Sequence, residues 1–499
     1  MNKKQTIGLF TGIILFILIL FFAELDAVNP AVTKMAAIAV LMAALWISEA
    51  IPLAATSLIP LILFPLLSLM PGDMIASSYI NSVIFLFLGG FLIAIAMENW
   101  GLHKRIALKI ITIFGGTPNS IIIGFMVAAA FLSMWISNTA TAVMMLPIAL
   151  SIIMKMEDEF GRERIANFSK SLLLAIAYAC SLGGISTLIG TPPNLALVRI
   201  VKIIYPAAPE ISFGSWMMLS LPIAILMLII AAFLITRIFF KVDKQIIMDK
   251  KFISDEYNRL GSTSFEEKVI GSVFIFTALL WIFRTDLNFG LFAISGWSSV
   301  FSIPDYIDDG TVAITMAFIL FLIPAKNSEK KRAILNLKSF ELVPWSIILL
   351  FGGGFALASG FSHSGLSDFI GNQLDAFRNY NIILIILIVA FIMNFLTELT
   401  SNTATTQMIL PILAAVSVAI GIHPLLLMIT ATLSASMAFM LPVATPPNTI
   451  IFASGRIKVF DMVKAGFNLN LAGVLIVSIL VYLLGNYIFD MNTFPDWAK

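Results

Sequence analysis

Ser137-Asn138-Thr139-Ala140-Thr141 and Ser401-Asn402-Thr403-Ala404-Thr405 are two copies of one polar phrase, each set in the middle of a long apolar stretch. The copies stand 264 residues apart, and the offset holds well beyond them. Gly89-Gly90-Phe91 maps onto Gly353-Gly354-Phe355, Gly101-Leu102 onto Gly365-Leu366, and Met144-x-Leu146-Pro147-Ile148 onto Met408-x-Leu410-Pro411-Ile412. A register kept over roughly 60 residues is an internal structural duplication, not biased composition. A second pair follows: Thr191-Pro192-Pro193-Asn194 after the first copy and Thr445-Pro446-Pro447-Asn448 after the second, now 254 residues apart. The difference falls between the phrases, where copy one has the charged loop 155–170 and copy two a short turn near Gly421.

Composition names the solvent. Of the 499 residues, 60% are hydrophobic and 12% charged, and the mean hydropathy is +1.00. A soluble domain carries about 25% charged residues, so lipid is the main solvent here. The net charge of +2 gives no reason to expect nucleic acid. The single cysteine, Cys180, sits in an apolar run and is expected to be a small core residue, with no disulfide and no cysteine-rich metal site. Lys3 and Lys4 precede an apolar run, and Ala23 and Ala27 offer the small residues of a leader peptide. In so apolar a chain, that segment is expected to be a first transmembrane helix.

Apolar spans lie near 7–23, 33–51, 54–70, 80–98, 172–189, 216–240, 268–284, 311–324, 343–361, 425–443 and 467–489. Regions 118–154 and 380–420, which hold the polar phrases, are too long for one crossing of about 20 residues. Each breaks at its centre, and a polar tip sits better inside protein than in a headgroup layer, so re-entrant hairpins are expected. The fold class is therefore an all-α polytopic membrane protein, with about 11 transmembrane helices plus two re-entrant helical hairpins.

Basic residues give the orientation. With the N-terminus in the cytoplasm, the outside keeps only Lys34, Arg199, Lys202, Arg284, Arg378 and Lys499 of the 30 Lys and Arg. Region 118–154 then enters from the cytoplasm and region 380–420 from outside. The copies are inverted, the signature of a secondary transporter with its site near the midplane. Before each hairpin lies an amphipathic stretch expected along the membrane surface. The first carries Leu102, Ile106, Ile110 and Ile113, with Lys104, Arg105 and Lys109 on other faces. The second carries Leu366, Phe369, Ile370, Leu374 and Phe377, with Asp368, Asn372 and Asp375 opposite. Ser264-x-x-Glu267 reads as a capping box.

Enzyme chemistry finds little support. His103, His363 and His423 show no metal-ligand spacing and are expected on the surface or in loops. No phosphate-binding Gly-x-x-x-x-Gly-Lys-Ser/Thr loop and no Gly-x-Ser-x-Gly elbow occurs. The polar phrases are better candidates. At a break in a membrane helix, Ser, Asn and Thr supply hydroxyls and amides, and half-helix N-termini offer free N–H groups to an anion. Freed carbonyls suit a small hard cation, and the Pro-Pro pairs leave the carbonyls of Gly190 and Ala444 free to face one. Neither phrase contains Lys or Arg. A buried anion there would need bound cations as its counter-charge.

Trp135-Ile136-Ser137-Asn138-Thr139-Ala140-Thr141, Thr397-Glu398-x-x-Ser401-Asn402-Thr403-Ala404-Thr405 and both Thr-Pro-Pro runs resemble the divalent anion/sodium symporter family of dicarboxylate transporters, over nearly the whole chain. The resemblance implies a homodimer in lipid, with a scaffold domain and a transport domain that moves like an elevator. Residues 1–117 and 242–378 would form the scaffold, each part with a surface arm helix, and 118–241 and 379–499 the transport domain. It implies that Asn138, Thr139, Asn402 and Thr403 grip substrate carboxylates, with Ser401, Thr445 and Pro446 close by. One Na+ would sit near Ser133, Ser137, Asn138 and Gly190, the other near Thr397, Asn402 and Ala444. The implied activity is sodium-coupled import of C4-dicarboxylates such as succinate, fumarate or malate across the cytoplasmic membrane.

Exchanger relatives often have Arg after Ser-Asn-Thr-Ala, where this chain has Thr141 and Thr405. Thr400 departs from the small residue expected there. Glu398 has Met134 as its counterpart, so it lies outside the repeated design; tuning a cation, carrying a proton and capping locally all remain open. An exchanger, a carrier of citrate or sulfate, a passive anion channel and a membrane-embedded enzyme are the other readings.

Overall fold

The computed structural model describes residue 1 and residues 3–114, 116–243, 250–288, 293–326, 333–373 and 380–499. Leu374, Asp375 and Phe377 of the second amphipathic stretch lie outside the described residues, as does Arg378. The chain opens with α1 (Lys3–Phe22), α2 (Pro30–Ser48), α3 (Leu53–Thr56), α4 (Ile59–Leu66) and α5 (Gly72–Ala76). The first copy of the repeat is α6 (Ser82–Asn99), α7 (Leu102–Phe114), α8 (Pro118–Ser133), α9 (Asn138–Phe160), α10 (Arg162–Gly184) and α11 (Pro192–Ile204). Next come α12 (Phe213–Phe233), which runs on as a π-helix to Phe239, then α13 (Lys250–Asn258), α14 (Phe265–Ile282), α15 (Asp309–Leu322) and α16 (Leu337–Glu341). The second copy is α17 (Trp345–Ser364), α18 (Leu366–Gln373), α19 (Ile382–Thr397), α20 (Asn402–Ala419), α21 (Pro424–Ala435) and α22 (Pro446–Phe452), followed by α23 (Val459–Phe489). The copies match element for element.

Among the described residues, nine helices are long and apolar enough to cross a membrane, and the only sheet is the short pair Leu287–Asn288 and Ala293–Ile294. Two expected spans differ. Region 54–70 is not one helix but α3 and α4. Pro52 ends the preceding segment, Pro60 opens α4 and Pro65 sits inside it, each lacking the N–H that a continuous helix needs. The span expected at 425–443 stops as helix at Ala435 and continues unwound to Ala444.

Two of the repeated pairs now have a physical reason. Gly101 (φ +75°) and Gly365 (φ +78°) are left-handed joints between α6 and α7 and between α17 and α18, a backbone region that residues with a Cβ avoid. Gly89 and Gly353 are contact points: a Cβ would come within 2.5 Å of Ala313 or of Ser57 respectively. Without a hydrophobic drive between helices in lipid, close backbone approach supplies the packing energy. The tightest such approach joins α8 and α10, where a Cβ at Gly183 would lie 2.2 Å from the Ala130 carbonyl oxygen. Gly183→Ala is expected to cost about 1–3 kcal/mol by overpacking, read as an earlier thermal unfolding in detergent.

The ends of the bundle fix the sense of each copy. At one end Arg456 grips Glu157 with both nitrogens, Lys170 donates to Asp461 at 2.9 Å and Arg164 to Asp243 at 2.9 Å. At the other, Arg284 pairs with Asp309 (2.6 Å) and Glu210, Tyr205 donates to the Ala414 carbonyl, and His423 meets Trp497 edge to face. From their polar phrases, α9 runs toward the first end and α20 toward the second. The two copies therefore point opposite ways. Their central helices α10 and α21 are the most enclosed: every residue of α21 is buried, as is α10 from Ser171 to its end.

Helix α7, expected as a surface arm, differs in detail from its expected face. Leu102, Leu108 and Ile111 are buried, Ile113 is exposed, and Arg105 is buried rather than solvated. Its guanidinium holds Glu267 at 2.6 Å and the carbonyls of Leu260, Gly261 and Ser262. Glu267 belongs to the expected capping box with Ser264. Paired in this way, the buried charge is not left alone.

Candidate functional site

Helix α8 ends at Ser133 and α9 begins at Asn138, so Met134 to Ser137 form the break. Ser137 is the N-cap, its hydroxyl accepting the Ala140 N–H at 3.1 Å. This leaves other first-turn N–H groups of α9 at the break. Ser133 is fully buried, and its hydroxyl donates to the Cys180 carbonyl at 2.8 Å. The Asn138 amide is satisfied when its nitrogen donates to Ser133 Oγ (2.5 Å), the Cys180 carbonyl (3.1 Å) and the Gly190 carbonyl (3.3 Å). Thr187 ties the unwound stretch to the break: its hydroxyl donates to the Met134 carbonyl at 2.5 Å and accepts the Gly190 N–H at 3.1 Å. Ser133, Asn138 and Gly190 are thus brought together, with Cys180 added through its carbonyl.

In the second copy α19 ends at Thr397 and α20 begins at Asn402, with Ser401 as N-cap to the Ala404 N–H at 3.4 Å. The Thr397 hydroxyl lies 3.0 Å from the carbonyls of Met393 and Asn394. Asn402 Oδ1 is buried and has no hydrogen-bond partner among the described residues. Thr445 caps α22 by accepting the Asn448 N–H at 3.3 Å, with Pro446 in the first helical position. No bond links Thr397, Asn402 and Ala444 to one another among the described residues, so this group is looser than its counterpart. The Thr400 hydroxyl is committed to the Leu396 carbonyl and the Thr405 hydroxyl, both at 2.8 Å.

Sequence reasoning missed the fourth residue of Thr-Pro-Pro-Asn. Asn194 Nδ2 donates to the carbonyls of Gly184 (3.3 Å) and Thr187 (2.7 Å), and Asn448 Nδ2 to those of Ala438 (3.3 Å) and Leu441 (3.1 Å). In each copy the amide reaches back ten and seven residues and holds the unwound stretch in shape. Both residues are fully buried. The signal was on the page, since Asn repeats with the prolines.

Glu398 is placed where the copies diverge. Oε1 accepts the N–H groups of Phe439 (2.7 Å) and Met440 (2.8 Å) and the Asn470 amide (2.7 Å), while Oε2 accepts the Leu441 N–H at 2.9 Å. One carboxylate thus satisfies three successive backbone donors of an unwound segment, which has no helix partners for them. Of the readings left open for it, local capping is the one these bonds describe. Copy one has no acid there, and its Ser186 N–H turns back onto the Gly183 carbonyl.

The copies interlock. Helix α11 packs on α20 and α21 of the other copy, and α22 packs on α9 and α10. Each Thr-Pro-Pro helix therefore lies against the opposite hairpin. Apart from the Glu398 carboxylate, the groups offered are neutral oxygens and amide hydrogens, and among the described residues no ammonium or guanidinium bonds to any of them. Such oxygens suit a small hard cation, and the unpaired Asn402 Oδ1 is an acceptor still to be satisfied.

The histidines stand apart from this site. His103 lies 3.0 Å from the Met97 carbonyl and His363 is exposed. His423 lies in the loop before α21, one of the two placements expected, and is buried there because it caps α21 at Leu425 and packs on Trp497. Among the described residues no cluster of His, Cys, Asp or Glu could hold a metal. Cys180 is buried and free, as expected.

The chain is 42% identical over 490 residues to the sodium-dependent dicarboxylate transporter SdcS of Staphylococcus saprophyticus, covering 97% of this chain and 92% of that protein. It is 44% identical over 488 residues to the protein of the same name from Staphylococcus aureus, with the same shares covered. Its fold is similar to that of the Alcanivorax borkumensis YdaH transporter, with a TM-score of 0.57 at 12% identity over 97% of each chain. Residues 3–491 match the model of the sodium:sulfate symporter transmembrane region, and to that family this chain belongs.

Proposed function

We propose that this protein is a secondary active transporter that uses sodium entry to import C4-dicarboxylates such as succinate, fumarate or malate across the cytoplasmic membrane. One observation carries the reading. Two oxygen-rich helix breaks of opposite sense, neither holding Lys or Arg, are interlocked in the core, and Asn402 at one of them is a buried, unpaired acceptor. The similarity to sodium-dependent dicarboxylate transporters of two staphylococci supports the choice of ion and substrate.

In this reading Asn138, Thr139, Asn402 and Thr403 bind the two carboxylates, with Ser401, Thr445 and Pro446 beside them. One Na+ takes oxygens from Ser133, Ser137, Asn138 and Gly190, and the other from Thr397, Asn402 and Ala444. The closeness of Ser133, Asn138 and Gly190 supports the first set, in which the Asn138 amide would turn its oxygen toward the ion. The Ser137 hydroxyl is engaged as a cap and would share its second lone pair. Cations bind first, because a dianion cannot be desolvated among neutral groups without counter-charge.

The pairs α8–α9 and α19–α20 act as re-entrant hairpins. Their first helices are shorter than a full span, which supports that assignment. With the N-terminus in the cytoplasm, the end of the bundle carrying Arg456 and Glu157 faces inward. Segments 118–241 and 379–499 move as one transport unit against the scaffold 1–117 and 242–378, in a homodimer. Inverted copies give two near-equivalent arrangements, one open to each side.

The test is uptake of labelled succinate into proteoliposomes. An inward sodium gradient is expected to drive accumulation, and collapse of the gradient to abolish it. Uptake indifferent to sodium but driven by internal dicarboxylate would make the protein an exchanger. Competition by unlabelled citrate or sulfate, stronger than by fumarate or malate, would move the substrate to those anions.

A further inference from the structure

A cavity of about 440 Å3 lies at the end of the bundle that carries Arg284 and Asp309. Its walls come from α11, from the start of α6, from the segment before α12 and from the loop before α15. Leu188, in the unwound stretch that ends at Gly190, also lines it. The cavity therefore runs from the loops to a residue two positions before Gly190.

Arg199 and Lys202 face this cavity one turn apart on α11. Lys202 donates to the Pro206 carbonyl at 2.7 Å. Arg199 is different. Its Nε is buried without a partner, and no hydrogen bond or ion pair reaches its guanidinium among the described residues. Of the acids on the facing wall, Glu210 and Asp309 bind Arg284 and Asp308 accepts from the N–H and hydroxyl of Thr311, while Asp305 is bonded to neither Arg199 nor Lys202.

The repeat supplies a control. The 254-residue offset places Lys202 on Arg456, at the opposite end of the bundle. There α9 provides Glu157, and a two-nitrogen ion pair closes the position. On Lys202's side, the helix corresponding to α9 is α20, and the turn Ile420-Gly421-Ile422-His423 after it carries no acid. One end has a cation sealed by carboxylate. The other has two cations, and one of them is unpaired. A half-buried guanidinium without a partner is costly unless an anion visits it.

The geometry points to a second, outer binding site, in which Arg199 and Lys202 hold a small dicarboxylate before it reaches the Ser-Asn-Thr breaks. This rests on the reading that the chain carries dicarboxylates. The guanidinium fork matches one carboxylate, and the ammonium can take the other. The cavity is within the size range of small-molecule sites. The two cations stand together on the α11 face, so an anion that enters the cleft is drawn to that side of it. The carboxylates opposite keep the stay short, which suits a stopping place on the way to a deeper site.

The experiment uses full-length Val198→Cys protein in proteoliposomes. Val198 lines the cavity, and the native Cys180 is buried, so the new thiol is the one addressed. A membrane-impermeant, negatively charged thiol reagent is applied with and without succinate. Succinate is expected to slow labelling, and to do so equally when Asn138→Ala disables the inner site. Adding Arg199→Gln is expected to raise the succinate needed for half-protection about ten-fold, as for one lost charge-assisted contact. Arg199→Lys should fall between, and it serves if the glutamine variant does not fold.

Protection lost with Asn138→Ala alone, or unchanged by both Arg199 variants, overturns the outer site. Sodium-driven uptake without any protection leaves the transport reading standing and removes the outer site. Protection without sodium-driven uptake does the reverse.

Discussion

Glu398→Ala is expected to abolish uptake and to lower thermal stability severely. The carboxylate accepts three consecutive backbone N–H groups, from Phe439, Met440 and Leu441, and the Asn470 amide. The Phe439 N–H keeps the Asn470 amide oxygen at 3.3 Å, so three donors lose their acceptor, and at about 1–3 kcal/mol each the loss is on the order of 5 kcal/mol. Glu398→Gln separates fold from charge. The amide oxygen can still accept at the Oε1 position, but an NH2 group would face the Leu441 N–H, orphaning one donor at about 1–3 kcal/mol. That variant is expected to remain folded, with the sodium needed for half-maximal uptake raised about ten-fold, since Thr397 directly precedes it. Melting curves and sodium titrations of uptake separate the effects. Unchanged sodium dependence in Glu398→Gln would confine the carboxylate to holding the segment.

Asn138→Ala and Asn402→Ala are each expected to reduce uptake by about 100-fold or more, the scale of one or two hydrogen bonds to a charged guest. Their effects on stability should differ. Asn138 bridges Ser133, Cys180 and Gly190, so truncation orphans groups the protein itself uses, and the melting temperature should fall. Asn402 Oδ1 satisfies nothing among the described residues. Removing an unpaired buried acceptor costs little, and stability is expected to hold or rise by about 1 kcal/mol. A carrier that is at least as stable yet inactive is the mark of a residue kept for the guest. Near-normal uptake in either variant would place the site elsewhere.

Much of this was legible because the duplication wrote it twice. Ser-Asn-Thr marked both breaks, Thr-Pro-Pro marked both unwound stretches, and Gly101 and Gly365 marked both joints. What escaped the sequence depends on long-range partners. Apolarity alone could not show that prolines divide 54–70 into α3 and α4. Nothing local to Glu398 says that residues 439–441 will arrive against it. Arg105 looked like a solvated face because Glu267 lies far along the chain. Asn194 and Asn448 were visible as repeated letters, but their work needs the carbonyls behind them in three dimensions. His423 needed the packing of Trp497.

Glu398 has an electrical consequence for the proposed carrier. As a carboxylate beside the second break, it is a negative charge carried with the proposed moving unit. Moving one elementary charge through the full membrane potential is worth about 2.3 kcal/mol per 100 mV. An inside-negative potential would therefore push the empty unit back toward the outer face, where sodium and diacid await. The cell's voltage would then act on the return stroke as well as on cation entry, and a single side chain would make the cycle rectify.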